Sequence, residues 1–130
     1  MKGYAKIAIE ILVKNATTVT GSAITLKQAK TTGGASEKAL AFSTIYENLD
    51  TENSSTGDTL TEAAVSSSTF TTNTTNNKSL YYLIEVDASD LDVVNGFTCV
   101  RLGTGDSTAA TLSVTYHLIP IISEGGQSAI

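Results

Sequence analysis

The residues best suited to chemistry in this 130-residue chain lie in one acidic run, Glu85, Asp87, Asp90 and Asp92. Hard cations such as calcium are held by several carboxylate oxygens, so a calcium site is the first chemistry to weigh. The spacing does not fit an EF-hand loop, and Gly96 falls in the wrong place for its sharp turn. Ser89 or Asp90 capping a single helical turn over Leu91 and Val93 accounts for the same residues. The aspartates are therefore read as structural, holding a loop between two neighbouring strands. No metal is expected there.

A nucleophile–base pair is the second possibility. Cys99 is the only cysteine and His117 the only histidine, which excludes an intrachain disulfide and multi-histidine metal sites. The two could form a thiol–imidazole pair, but no third residue stands out to orient the base. Cys99 reads better as a small apolar side chain within a strand. GTGD at 103–106 resembles a phosphate loop only in its glycines, because a strand rather than a helix follows. Sequons at Asn15, Asn53, Asn73 and Asn77 arise by chance in a chain so rich in Asn, Ser and Thr. The opening MKGYAKIAIEILV has the outline of a signal peptide, yet Glu10 interrupts it and its apolar residues alternate. It reads as a strand, which removes the secretory context. No catalytic residue and no cofactor are expected.

The elements that would have to position any site are strands. Leu80, Tyr82, Ile84 and Val86 alternate with Tyr81, Leu83 and Glu85, a two-residue period rich in aromatic and branched side chains. Its second face is also fairly apolar, which suits a central strand. The acidic connection DASDLDVVNG ends in Asn95-Gly96, residues that tolerate positive φ, and a strand resumes at Phe97–Leu102. Ile7, Ile9, Ile11 and Val13 mark the first strand, and Ile24 and Leu26 the second; their closeness predicts an antiparallel hairpin. Leu40, Phe42, Thr44 and Tyr46 give a third. Leu60–Val65 is a weak strand or a helical turn, and Thr69–Thr72 an edge strand anchored by Phe70. Leu112, Val114, Tyr116 and Leu118 define the inner face of the last strand, which Pro120 ends.

Seven or eight short strands without a long helix predict an all-β antiparallel β-sandwich, jelly-roll-like or immunoglobulin-like. One domain at 1–122 and a tail at 123–130 are expected. The core should include Ile9, Ile11, Ile24, Leu26, Phe42, Tyr82, Ile84, Val86, Phe97, Val114 and Tyr116.

Composition narrows the function. Ser and Thr make up about a quarter of the chain, well above ordinary usage, and threonine suits pleated surface. Only 16% of residues are charged, which points to surface buried against something. The net charge is −5, split between +4 over residues 1–38 and −9 over residues 39–130. An acidic chain is a poor binder of nucleic acid, whose affinity comes from phosphate neutralisation. No segment is long and apolar enough to span a bilayer. The charge asymmetry either helps neighbouring copies attract one another or reflects local drift in composition.

The block YYLIEVDASDLDVVNGFTCVRLGTGD and the strand ATLSVTYHLI resemble a group of small virion proteins of tailed bacteriophages and prophages. In that group a strand ending E-(V/I)-D leads through an acidic (D/E)-L-D segment to NGF and a V-R/V-x-V strand. ITLKQAK is similar to their L-x-Q-A-K strand. The resemblance implies a non-enzymatic capsid decoration or cement subunit on the phage head, made in the host cytoplasm and bound to the major capsid protein. It transfers no catalytic residue. The Ser/Thr/Asn-rich insert at 50–79 and the GGQSAI tail depart from the group's pattern. A tail-tube or fibre component stays open, though the chain lacks fibre repeats. So does a carbohydrate-binding or adhesin module, though Trp is absent. A homo-oligomer, with a trimer favoured, is expected, and Met1, Lys2, Tyr4, Ser123, Gln127 and Ile130 are the expected contacts, because both termini read as free to reach a neighbour.

Overall fold

The first strand, β1 (Tyr4–Asn15), sets the architecture. Its alternation buries Ile7, Ile9, Ile11 and Val13 on one face, while Glu10 and Lys14 lie on the other. Both of its edges are used. On one side β1 pairs antiparallel with β7 (Ser79–Asp87), and on the other with β9 (Ala110–Pro120). The computed structural model describes Met1 and residues 3–121.

Beyond β7 lie β4 (Phe42–Asn48) and β5 (Thr61–Ser67), giving a five-stranded sheet in the order β5-β4-β7-β1-β9. A second, four-stranded sheet forms around β2 (Ala23–Ala29). The short β3 (Lys38–Ala39) and β6 (Thr69–Thr71) share one edge of β2, and β8 (Cys99–Thr104) takes the other. Every pairing is antiparallel, and the two sheets pack face to face. The chain is an all-β sandwich of nine strands, one more than the alternation indicated. The extra strand is the two-residue β3, too short to show a period.

The expected hairpin between the first two strands does not form. β1 and β2 lie in different sheets and face each other across the core. A chain with apolar side chains on one face of each strand buries more of them by stacking the strands than by pairing them edge to edge. The crossover runs through Gly21, whose φ of 77° and close approach to the Thr72 carbonyl leave no room for a Cβ.

The dry interior holds Ile9, Ile11, Ile24, Leu26, Leu80, Tyr82 and Ile84, with Val86, Leu91 and Phe97 at its borders. Three of the expected core residues depart from that list. Phe42 and Val114 are half-buried, and Tyr116 is 45% exposed. For Phe42 the cause is a register irregularity against β5 between Phe42 and Thr44, which turns Ile45 inward. For Tyr116 it is the smaller second sheet, which leaves this part of β9 uncovered.

Polar residues at 50–79 are ordered by buried amides. Asn48 donates through Nδ2 to the carbonyls of Thr56 (2.7 Å) and Thr59 (2.9 Å). Asn15 does the same for Asn73 and Thr75, both at 2.9 Å. The Tyr82 hydroxyl accepts the Asn73 N–H at 2.8 Å, and Phe70 packs edge-on against Phe42 and tilted against Tyr82. Phe70 is thus the anchor that its isolation in a polar tract suggested.

Truncating Ile9→Ala should cost about 2–5 kcal/mol, since the residue is fully buried with rigid neighbours. Asn48→Ala should cost about 1–3 kcal/mol by stranding carbonyls in a partly buried turn. Urea denaturation measures both. In native-state hydrogen exchange, Asn48→Ala should lose protection first between residues 50 and 60, whereas Ile9→Ala should lower it throughout.

Candidate functional site

The acidic run closes one end of the sandwich. β7 and β8 are not neighbours within one sheet, so the run does not join neighbouring strands as expected; it carries the chain from the first sheet to the second. It makes two successive 3-10 turns, Ala88–Asp90 and Val93–Asn95, rather than one helical turn. Asp90, the third residue of the first turn, reaches back to accept the Asp87 N–H at 3.0 Å, so Asp87, and neither Ser89 nor Asp90, holds the cap position. Asp92 accepts from the Asn95 side-chain amide at 2.9 and 3.0 Å and pairs with Lys38 at 2.5 Å. Its own N–H donates to the buried Gln28 Oε1 at 2.8 Å. Gly96 ends the second turn at φ 86°, and Phe97 then enters the core beneath Lys38 and Lys30, whose ammonium groups lie 4.3 and 5.3 Å from the ring centre.

Among the described residues, no three His, Cys, Asp or Glu side chains group as metal ligands would. Lys6 sits 3.3 Å from Glu85 and 3.8 Å from Asp87, so those carboxylates face a cation of the protein itself. Cys99 and His117 are not brought together. Cys99 is on β8, opposite Ala29 in the second sheet, and His117 is on the outward face of the first, 3.0 Å from Glu10. The GTGD segment ends β8 and turns toward β9, with the Gly105 N–H donating to the Ala23 carbonyl. Asn15 is 1% exposed and cannot serve as a glycan acceptor.

A cleft of about 530 Å³ opens where β4 and β7 diverge beyond Tyr46 and Leu83. Its lining mixes Leu40, Phe42 and Val86 with Thr44 and the carboxylates Glu85, Asp87 and Asp90, the first two of which already pair with Lys6.

The surface that stands out is apolar. β1 places Lys6 opposite both Asp87 and Ile119, so the start of β1, the acidic loop and the end of β9 share one end of the sandwich. Six of the nine exposed large apolar side chains among the described residues lie at or toward that end: Val93, Val94, Tyr116, Leu118, Ile119 and Ile121. Val94 is 97% exposed at the loop tip. Sequence reasoning assigned Tyr116 to the core, Leu118 to the inner face of the last strand and Val93 to a capped helical turn. The β9 parity was right: Tyr116 lies opposite Ile9 and Leu118 opposite Ile7 on the inner face. The second sheet does not reach over them.

Of the expected contact residues, Met1 and Tyr4 lie at this same end. Met1 is not a free arm, because its ammonium donates to the Thr98 carbonyl and its side chain packs against the core. Tyr4 already belongs to β1, opposite Pro120. Lys2, Ser123, Gln127 and Ile130 lie outside the described residues, as does the tail at 123–130.

The outward face of the first sheet carries a polar ladder. The Tyr81 hydroxyl donates to Glu10 at 2.7 Å, and His117 completes the group. The Tyr81 bond, followed by that of His117, holds the Glu10 carboxyl below its ordinary range; burial and Glu10 push the Tyr81 phenol up to about 12. Lys38, then Asn95, holds Asp92 low. Carboxyls depressed in the folded state add stability above their unfolded pKa values, near 4, and lose it as pH falls through the folded values. Urea midpoints should therefore fall below about pH 4, and Glu10→Gln with Asp92→Asn should flatten that acid limb. An unchanged limb in the double variant would contradict the assignment.

No protein-family model, no curated protein and no solved structure matches this chain.

Proposed function

We propose that this chain is a structural virion protein, a decoration or cement subunit that binds the outer surface of a phage head. It works by assembly with the major capsid protein and as a small homo-oligomer, not by catalysis. The observation that carries this reading is the gathering of exposed apolar side chains at one end of a rigid sandwich. Exposed apolar side chains scattered singly are ordinary, whereas several gathered at one end of a fold mark a site of association. The resemblance of the 81–106 block to small head-associated proteins gives the partner.

The mechanism is repetition. Val93 and Val94 project from a loop fixed by the Asp90 cap, the Asp92–Lys38 pair and the Gln28 bond. A fixed loop loses little conformational entropy on docking, so more of the buried apolar area appears as affinity. Copies bound at equivalent positions on a closed shell then resist its expansion together, each through modest contacts.

Val93→Glu with Val94→Glu should leave the fold intact, since both side chains are exposed, and should lower occupancy on capsids stripped of the protein by at least about tenfold. Deleting residues 123–130 should also weaken occupancy. Equal binding by the double variant and the native chain would remove the loop from the interface, and sedimentation with tails would move the protein off the head.

A further inference from the structure

β9 is the outer strand of the five-stranded sheet, with β1 on one side and no strand among the described residues on the other. Open edges normally carry devices that prevent pairing: brevity, charge, proline or a bulge. The other edges here have them. β3 and β6 have two and three residues, β5 carries Glu62, and β8 carries Arg101 and Gly103. β9 has none of them over its length. It runs for eleven residues without Lys, Arg, Asp or Glu, its proline is the last residue, and its register with β1 is unbroken from Ile119 to Ala110. In a chain of net charge −5, this is the flank along which two copies can approach with least repulsion.

We infer that β9 pairs antiparallel with β9 of a second copy, joining the two five-stranded sheets into one continuous sheet. The strand is self-complementary. Centred on Thr115, its midpoint, the pairing spans the whole strand and sets Val114 opposite Tyr116, and Leu112 opposite Leu118, of the other copy. These four share the inner face, where Leu112 and Val114 are half-buried and Tyr116 and Leu118 uncovered; pairing covers what the second sheet leaves open. On the outer face Thr115 meets Thr115, and Ser113 meets His117, so no like charges are opposed. The two Glu10 side chains would lie three strand spacings apart, about 14 Å and beyond the screening length in physiological salt. The unit is a two-fold pair, where the sequence led to the expectation of a trimer. It stands apart from the head assignment, because it concerns the isolated chain.

The test is register-specific. Across the axis the two Thr115 Cα atoms would be about 4.5–5.5 Å apart, within the range a disulfide spans. In a Cys99→Ser background, Thr115→Cys should form an interchain disulfide in air. Ser113→Cys should not, being four residues out of register with itself. Sedimentation of the native chain should show a dimer, weakened at least about tenfold by Leu118→Lys, which places a charge in the apolar contact, with an unchanged circular dichroism spectrum. A monomer at every concentration would overturn the inference. So would a trimer or larger ring, a dimer indifferent to Leu118→Lys, or one that Ser113→Cys crosslinks and Thr115→Cys does not. The Val93–Val94 loop lies outside the paired strand, so the capsid binding of its double variant is read separately from these results.

Discussion

The structure depends on one constraint: β1 has both edges paired and only one face dry. Ile7, Ile9, Ile11 and Val13 need an apolar lid, and because β7 and β9 already occupy the strand's edges, that lid must be a second sheet. β2 supplies it with Ile24 and Leu26. The crossover after Asn15, the buried amides that anchor the polar loops, and the acidic connection from β7 to β8 all follow from dividing the chain between two layers. Polar groups that cross between layers need partners, and Asn15, Gln28 and Asn48 provide them.

The layers are unequal, five strands against four, with β3 and β6 sharing a single edge of β2. The inner face is therefore left uncovered near the end of β9. The acidic loop closes the same end yet leaves Val93 and Val94 in solvent. These apolar side chains are not failed core positions. They are the surface through which the proposed assembly acts, held in place by a core to which they contribute little.

Much of the fold was legible from alternation alone, because a two-residue period reports directly on which face is dry. It identified Ile9, Ile11, Ile24, Leu26, Tyr82, Ile84 and Val86 as core, and Phe70 as an anchor. Pairing was less legible: the period states which face is buried and says nothing of which strand lies alongside, so β1 and β2 were joined as a hairpin that does not exist. Tyr116 shows a different limit. Its face is correct, but its exposure depends on the width of the opposing sheet, a property of distant residues. Val93 and Val94 gave a readable signal, two branched apolar residues within an acidic turn. The helical turn expected over Leu91 and Val93 became two 3-10 turns, and the exposure of the valines depends on packing that a local pattern does not report.

The charge asymmetry also resolves within one copy. Lys6, Lys14 and Lys38 from the basic first third pair with Glu85, Glu52 and Asp92 from the acidic remainder. Exposed pairs like these contribute little individually, but they match the opposite charges within one copy, so the proposed association falls to apolar contact and strand pairing. The central claim is that this contact is made on a phage head. Cryo-electron microscopy of purified particles, with mass spectrometry of the same fraction, tests it most directly. The account predicts a nine-stranded sandwich on the outer surface of the head, with the Val93–Val94 loop against the shell. Density for the chain in the tail, or particles that lack it, would contradict it.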